Sequence, residues 1–173
     1  MQFEGPSIQV SFRLDPRIFA AIEKQLIDGR DVSAYAHDLV VASVINANLL
    51  DPEFSKEFSL KGAILSRCHS TSLRVFRAQG FSPDFTYRVV RALEADPLWL
   101  EDYTALVRDD PFKTGNQRKG SINRAIGACV LKSIGGIVAK DDKERPILVP
   151  VKGSIIQKYT KMESYTLPEE PTE

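Results

Sequence analysis

The segment Ser7–Pro16, SIQVSFRLDP, alternates polar and apolar residues without a slip until it reaches Asp15-Pro16. Ile8, Val10, Phe12 and Leu14 fall on one face of an extended chain, and Ser7, Gln9, Ser11 and Arg13 fall on the other. A period of two predicts a strand with one buried and one wet face. Asp15 then offers a carboxylate to the orphan amides of a helix, and Pro16 suits the first helical position, where an N–H is not needed. A lone strand leaves its backbone groups unpaired and its apolar face uncovered. Whatever pairs with this strand therefore decides the fold.

The residues that follow place no second strand nearby. From Arg17 to Asp28, Ile18, Ala21, Ile22 and Leu26 recur at helical spacing, and Gly29 is the expected stop. Ser33 is the expected N-cap of a second helix from Ala34 to about Asn48, with Asp31 as a competing cap. Ala36, Leu39, Val40, Val44 and Ala47 form its apolar stripe. Strand, helix, helix, with this spacing, resembles the ribbon-helix-helix DNA-binding family over residues 7–49. That resemblance implies a homodimer whose two strands pair antiparallel across a two-fold axis. The N-terminal amides of the second helix, at Ser33 and Ala34, would then hold a backbone phosphate, with Arg30 adding a contact.

Physical chemistry suits that arrangement. A second copy of the same strand is the simplest partner for it. Ile8, Val10, Phe12 and Leu14 then form the dimer core, and Gln9, Ser11 and Arg13 face outward from both chains. A two-stranded ribbon fits the major groove, where Arg bonds guanine, Gln bonds adenine, and Ser bonds either donor or acceptor. The competing topology pairs the strand with Ile147-Leu148-Val149 in an ordinary α+β domain.

The remainder predicts a mostly helical domain with a small β element. Helices are expected over Lys56–Cys68, weakened at Gly62; over Ser72–Gln79; from a Ser82-Pro83 cap to Ala95; from an Asp96-Pro97 cap to Arg108; and from Ser121 to Ser133. Ile137-Val138 reads as a strand, Asp141–Glu144 as a hairpin turn, Ile147–Val149 as an edge strand before Pro150, and Ile155-Ile156 as the start of a last short element. The expected fold class is mainly α. A ribbon-helix-helix module occupies residues 1–50, a helical domain with a small β hairpin 51–165, and an acidic, Pro-rich, disordered tail 166–173.

Charge is unevenly spread in a chain of zero formal net charge. Residues 111–140 hold no Asp or Glu but carry Lys113, Arg118, Lys119, Arg124, Lys132 and Lys140. Lys113, Arg118, Lys119 and Arg124 are expected to grip DNA phosphates. They offset a weakness of the first 49 residues, which are slightly acidic and would bind a polyanion poorly alone. Lys61, Arg67, Arg74, Arg77, Arg88 and Arg91 make a second basic run. Residues 75–90 superficially resemble a helix-turn-helix, but Phe76 stands where a small residue is needed and Thr86 where an aliphatic is expected, which favours a helical hairpin. Residues 114–121 lack P-loop spacing.

Other chemistry finds little support. Cys68 and Cys129 are far apart and suit free thiols in a reducing compartment. No metal site, cofactor or catalytic set is expected, and His37 and His69 are given structural or surface roles. No signal peptide and no membrane span is expected. The sequence thus predicts a cytoplasmic, non-enzymatic, homodimeric transcriptional regulator that binds double-stranded DNA, with RNA polymerase or another regulator as a further partner of the C-terminal domain. Two alternatives stand beside it: an accessory DNA-binding protein of plasmid transfer or partition, and an adaptor that pairs its strand with another protein.

Overall fold

The structure, a computed structural model, describes residues 13–25, 32–49 and 51–166. It is mainly helical: α1 (Pro16–Gln25), α2 (Val32–Asn46), α3 (Pro52–Gln79), α4 (Phe85–Glu94), α5 (Pro97–Val107) and α6 (Gln117–Ser133). Four short strands follow: β1 (Gly136–Val138), β2 (Leu148–Pro150), β3 (Lys158–Thr160) and β4 (Met162–Tyr165). Most of the segment expected to form the opening strand, including Ile8, Gln9, Val10, Ser11 and Phe12, lies outside the described residues, as do Arg30 and residues 167–173 of the tail.

Helix starts follow side-chain chemistry where it is strong. Asp15 Oδ1 accepts from the Arg17 amide at 2.8 Å, as expected of a cap before Pro16. Asp51 caps α3 and Asp96 caps α5 in the same way, each followed by proline. Three expected starts are corrected. Helix α2 begins at Val32, which puts Ser33 inside it rather than at its cap. Helix α4 begins at Phe85, because Ser82 and Pro83 are taken up by a turn closed by the Phe85 amide on the Ser82 carbonyl at 3.0 Å. Helix α6 begins a turn before Ser121, because the Asn116 side chain accepts from the Arg118 amide at 2.9 Å and donates to the Val107 carbonyl at 3.0 Å.

The largest correction concerns α3. Two helices were expected over residues 56–79, yet one unbroken helix of 28 residues runs through Gly62 and through His69-Ser70-Thr71. Its buried residues Ile64, Cys68, Thr71, Ser72 and Val75 keep one continuous stripe. The Ser72 hydroxyl donates to the Cys68 carbonyl at 2.8 Å, so a residue that breaks isolated helices is satisfied inside this one. Tertiary burial here overrides local propensity.

Helix α3 is the central rod, and α4, α5 and α6 all pack on it. The core holds Ile64, Cys68, Phe85, Val89, Leu93, Trp99, Tyr103, Ile126, Val130 and Met162. Each fully buried large apolar side chain contributes about 1.5–3 kcal/mol. Trp99, in the first turn of α5, is the anchor: it is wholly buried, stacks on Tyr103 at 5.1 Å, and donates from its indole to the Ile64 carbonyl at 3.2 Å. Leu98, the residue before it, is exposed.

The strands form two antiparallel ladders, β1 with β4 and β2 with β3. Ile137 sits opposite Ser164, and Val149 opposite Tyr159. Between them, Ala139 donates to Lys161, Lys161 to Ile147 and Ile147 to Ala139, at 2.9–3.0 Å, so the ladders are joined. The turn at Asp141–Glu144 forms as expected, with the Asp141 carboxylate accepting from the Lys143 and Arg145 amides. The last element extends further than Ile155-Ile156 suggested. Those two residues are buried in a turn, and the paired strands come after it.

Candidate nucleic-acid interface

Of the expected base-reading set, only Arg13 lies within the described residues, and it is exposed. Leu14, from the expected dimer core, is half-buried. Ser33 and Ala34 occupy the first turn of α2. Helices α1 and α2 pack on each other, and the His37 ring of α2 lies 6.5 Å from Phe58 of α3. Ile18, Phe19, Leu39 and Val40 are nonetheless 41–57% exposed.

Apart from Arg30, the cations expected to hold phosphate (Lys113, Arg118, Lys119 and Arg124) belong to one region, the loop before α6 and the first half of that helix. Their surroundings differ. Lys113 is exposed and lies 2.9 Å from the Asp109 carboxylate, which raises its own pKa and lowers that of Asp109. Arg118 lies 3.6 Å from Glu57 of α3. Such exposed pairs are worth at most about 1 kcal/mol, so a phosphate can displace them. Arg124 is exposed and donates from Nε to the Gly120 carbonyl at 3.1 Å, with no ion pair to a carboxylate among the described residues.

Lys119 has a different task. It is 7% exposed, and its ammonium donates to the Pro111 carbonyl at 2.6 Å and the Lys113 carbonyl at 2.9 Å. Burial draws its pKa down, against the pull of Asp110 and Asp109. It staples the loop that carries Lys113 onto α6. Three cations of the second basic run are likewise used within the fold. Arg67 pairs with Asp102 at 3.4 Å, Arg88 bonds Gln79 and Ser82, and Arg91 bonds Glu94 at 2.5 Å and the Gly153 carbonyl at 3.2 Å. The helical hairpin expected over residues 75–90 forms, with Phe76 of α3 edge-on to Phe85 of α4 at 6.2 Å.

A groove of about 660 Å³ runs between α6 and the β2–β3 ribbon. Gly120, Arg124, Gly127 and Ala128 line it on the helix side, and Leu148, Lys158 and Tyr159 on the ribbon side. Buried Thr86 and Val90 of α4 reach it from beneath. Two contacts hold its wall in place. Asn123 accepts from the Tyr103 hydroxyl at 2.7 Å and donates to the Ile155 carbonyl at 3.2 Å, while Glu94 accepts from Ser154 Oγ at 2.5 Å and from the Ile155 amide at 2.8 Å. Gly127, Lys158 and Tyr159 were not singled out in the sequence, and Thr86 was noted only as a departure from the helix-turn-helix pattern. The signal available was the spacing of Gly120, Gly127 and Ala128, small residues on one face of a helix.

The histidines take different positions. His69 Nδ1 lies 2.9 Å from Ser133 Oγ, and His37 is exposed beside Asp38. Among the described residues no group of His, Cys, Asp and Glu comes together as a metal site, and no helix is long and apolar enough to cross a membrane. No protein-family model, curated protein or solved structure matches the chain.

Proposed function

We propose that the chain is a homodimeric, sequence-specific DNA-binding regulator. The observation that carries the reading is the apolar surface of α1 and α2, where Ile18, Phe19, Leu39 and Val40 stand exposed. Helices this apolar are normally covered. A second copy covers them most simply, because the alternating segment before α1 offers a self-complementary strand to the same partner. Gln9, Ser11 and Arg13 then form the face presented to the major groove. Lys113, Arg118 and Arg124 lie on a stretch without carboxylates and supply phosphate contacts that the slightly acidic N-terminal segment lacks.

Two measurements on the full chain test this. Sedimentation should give a dimer, and Ile18→Glu with Val40→Glu should give a monomer. Binding to duplex DNA from around the protein's own gene should exceed binding to random duplex and weaken as salt rises. Arg13→Ala should erase the preference at a cost of about 1–3 kcal/mol, and Arg124→Ala should weaken both duplexes alike. A monomeric wild type overturns the ribbon, and absence of binding to any duplex at micromolar concentration overturns the DNA reading. A dimer that binds no DNA favours an adaptor, since the exposed apolar helices serve a protein partner equally well.

A further inference from the structure

We propose that the groove between α6 and the β2–β3 ribbon is a binding site for a small organic anion: an apolar, ring-bearing body with one carboxylate, sulfonate or phosphate. The inference does not require the DNA reading, although the two share Arg124. The volume of about 660 Å³ lies within the range of small-molecule sites. Its charge has one sign. Lys113, Lys119, Arg124 and Lys158 line it, and no Asp or Glu among the described residues does. Lys119 is committed to loop carbonyls and Lys113 is paired with Asp109 at 2.9 Å, which leaves Arg124 on the helix wall and Lys158 on the ribbon wall to meet an anion.

Two further features indicate room and an unmet bond. A Cβ placed on Gly120 or Gly127 meets nothing within 4 Å, so the helix wall is open rather than packed against the ribbon. Thr86, which lines the groove, is 5% exposed, and its Oγ1 has no hydrogen-bond partner among the described residues. Native folds leave few buried hydroxyls unsatisfied, and a ligand with a polar group is a natural partner for this one. Exposed Leu148 and half-buried Leu131 and Tyr159 provide the apolar surface for the ligand's body.

The charge requirement is tested with two fluorescent probes that share one ring system. 8-Anilinonaphthalene-1-sulfonate carries the anion, and N-phenyl-1-naphthylamine lacks it. Titrated into the full chain under native conditions, the sulfonate should bind once per chain and more tightly than the amine. Arg124→Ala combined with Lys158→Ala should weaken the sulfonate roughly tenfold and leave the amine within about twofold. Both substitutions are on the surface, and a thermal melt unchanged from wild type shows that the fold is kept. Gly127→Leu, which fills the groove, should weaken both probes. Equal losses of both probes in the double variant, or sulfonate binding unmoved by any variant, overturn the proposal. So does a stoichiometry well above one per chain, which marks general adhesion to apolar surface.

Discussion

Single side chains in this fold carry opposite kinds of tension. Thr86 buries a hydroxyl with no partner among the described residues, and such a group costs about 1–3 kcal/mol. Thr86→Val keeps the shape and removes the group, so the ligand-free protein should gain about 1 kcal/mol in urea denaturation. Tyr103 and Cys68 show the reverse case, neutral groups held in the form the core prefers. Burial raises the Tyr103 phenol above its ordinary range, and the Cys129 thiol beside it together with burial raises Cys68 well above its own. Both groups therefore keep their protons longer when folded than when unfolded, where thiol and phenol titrate near ~8.5 and ~10. Their contribution to stability is full below about pH 8.5 and declines as pH rises towards the folded values, by up to about 1.4 kcal/mol per pH unit for each group. Tyr103→Phe should cost about 1–3 kcal/mol at neutral pH by stranding Asn123 Oδ1. It should also flatten the decline above about pH 10, which denaturant midpoints at several pH values would show.

At the scale of elements, two glycines separate propensity from geometry. Gly62 lies exposed within α3, and a Cβ there meets nothing within 4 Å. Gly62→Ala should stabilise the protein by about 0.5–1 kcal/mol in thermal or urea unfolding. Gly135 joins α6 to β1 with φ of +59°, and a Cβ there would lie 1.7 Å from the Thr166 carbonyl oxygen. The Thr166 amide bonds the Gly135 carbonyl at 2.9 Å, so neither backbone can move aside freely. Gly135→Ala should cost at least about 2 kcal/mol, and hydrogen exchange should show the β1–β4 ladder loosening first. The same residue type thus gives opposite signs, and only the surroundings tell them apart.

At the scale of the molecule, Glu94 joins the helical layer to the β element. Its side chain is 5% exposed, and it accepts from Arg91 of its own helix and from Ser154 and Ile155 of the turn before β3. Charge-assisted bonds to a buried carboxylate are worth about 1.5–3 kcal/mol. Glu94→Gln puts an amide donor among donors, and should lose about 2–3 kcal/mol in equilibrium denaturation. Exchange protection should fall over residues 153–156 while α3 and α5 stay protected, because Trp99 and Tyr103 anchor those helices independently. A uniform loss across the chain would instead make Glu94 an ordinary core contact.

The sequence by itself determined the helical class, the Asp-Pro starts of α1 and α5, the turn at Asp141–Glu144 and the strand at Ile137-Val138. These rest on chemistry confined to a few neighbouring residues, which the sequence displays directly. It also displayed the alternation in SIQVSFRLDP, whose larger part lies outside the described residues. Only the tertiary structure decided that α3 is one rod, because burial against α4, α5 and α6 outweighs Gly62 and the His69–Ser72 stretch. It alone turned Lys119 from a cation on a basic run into a staple for two carbonyls, and made tethers of Arg67, Arg88 and Arg91 from the second basic run. The groove was the least legible feature, because its walls come from α6, β2 and β3 and its buried hydroxyl from α4. Spacing reports which residues share a face of one element. Which faces meet, and what is left open between them, depends on packing across the whole chain.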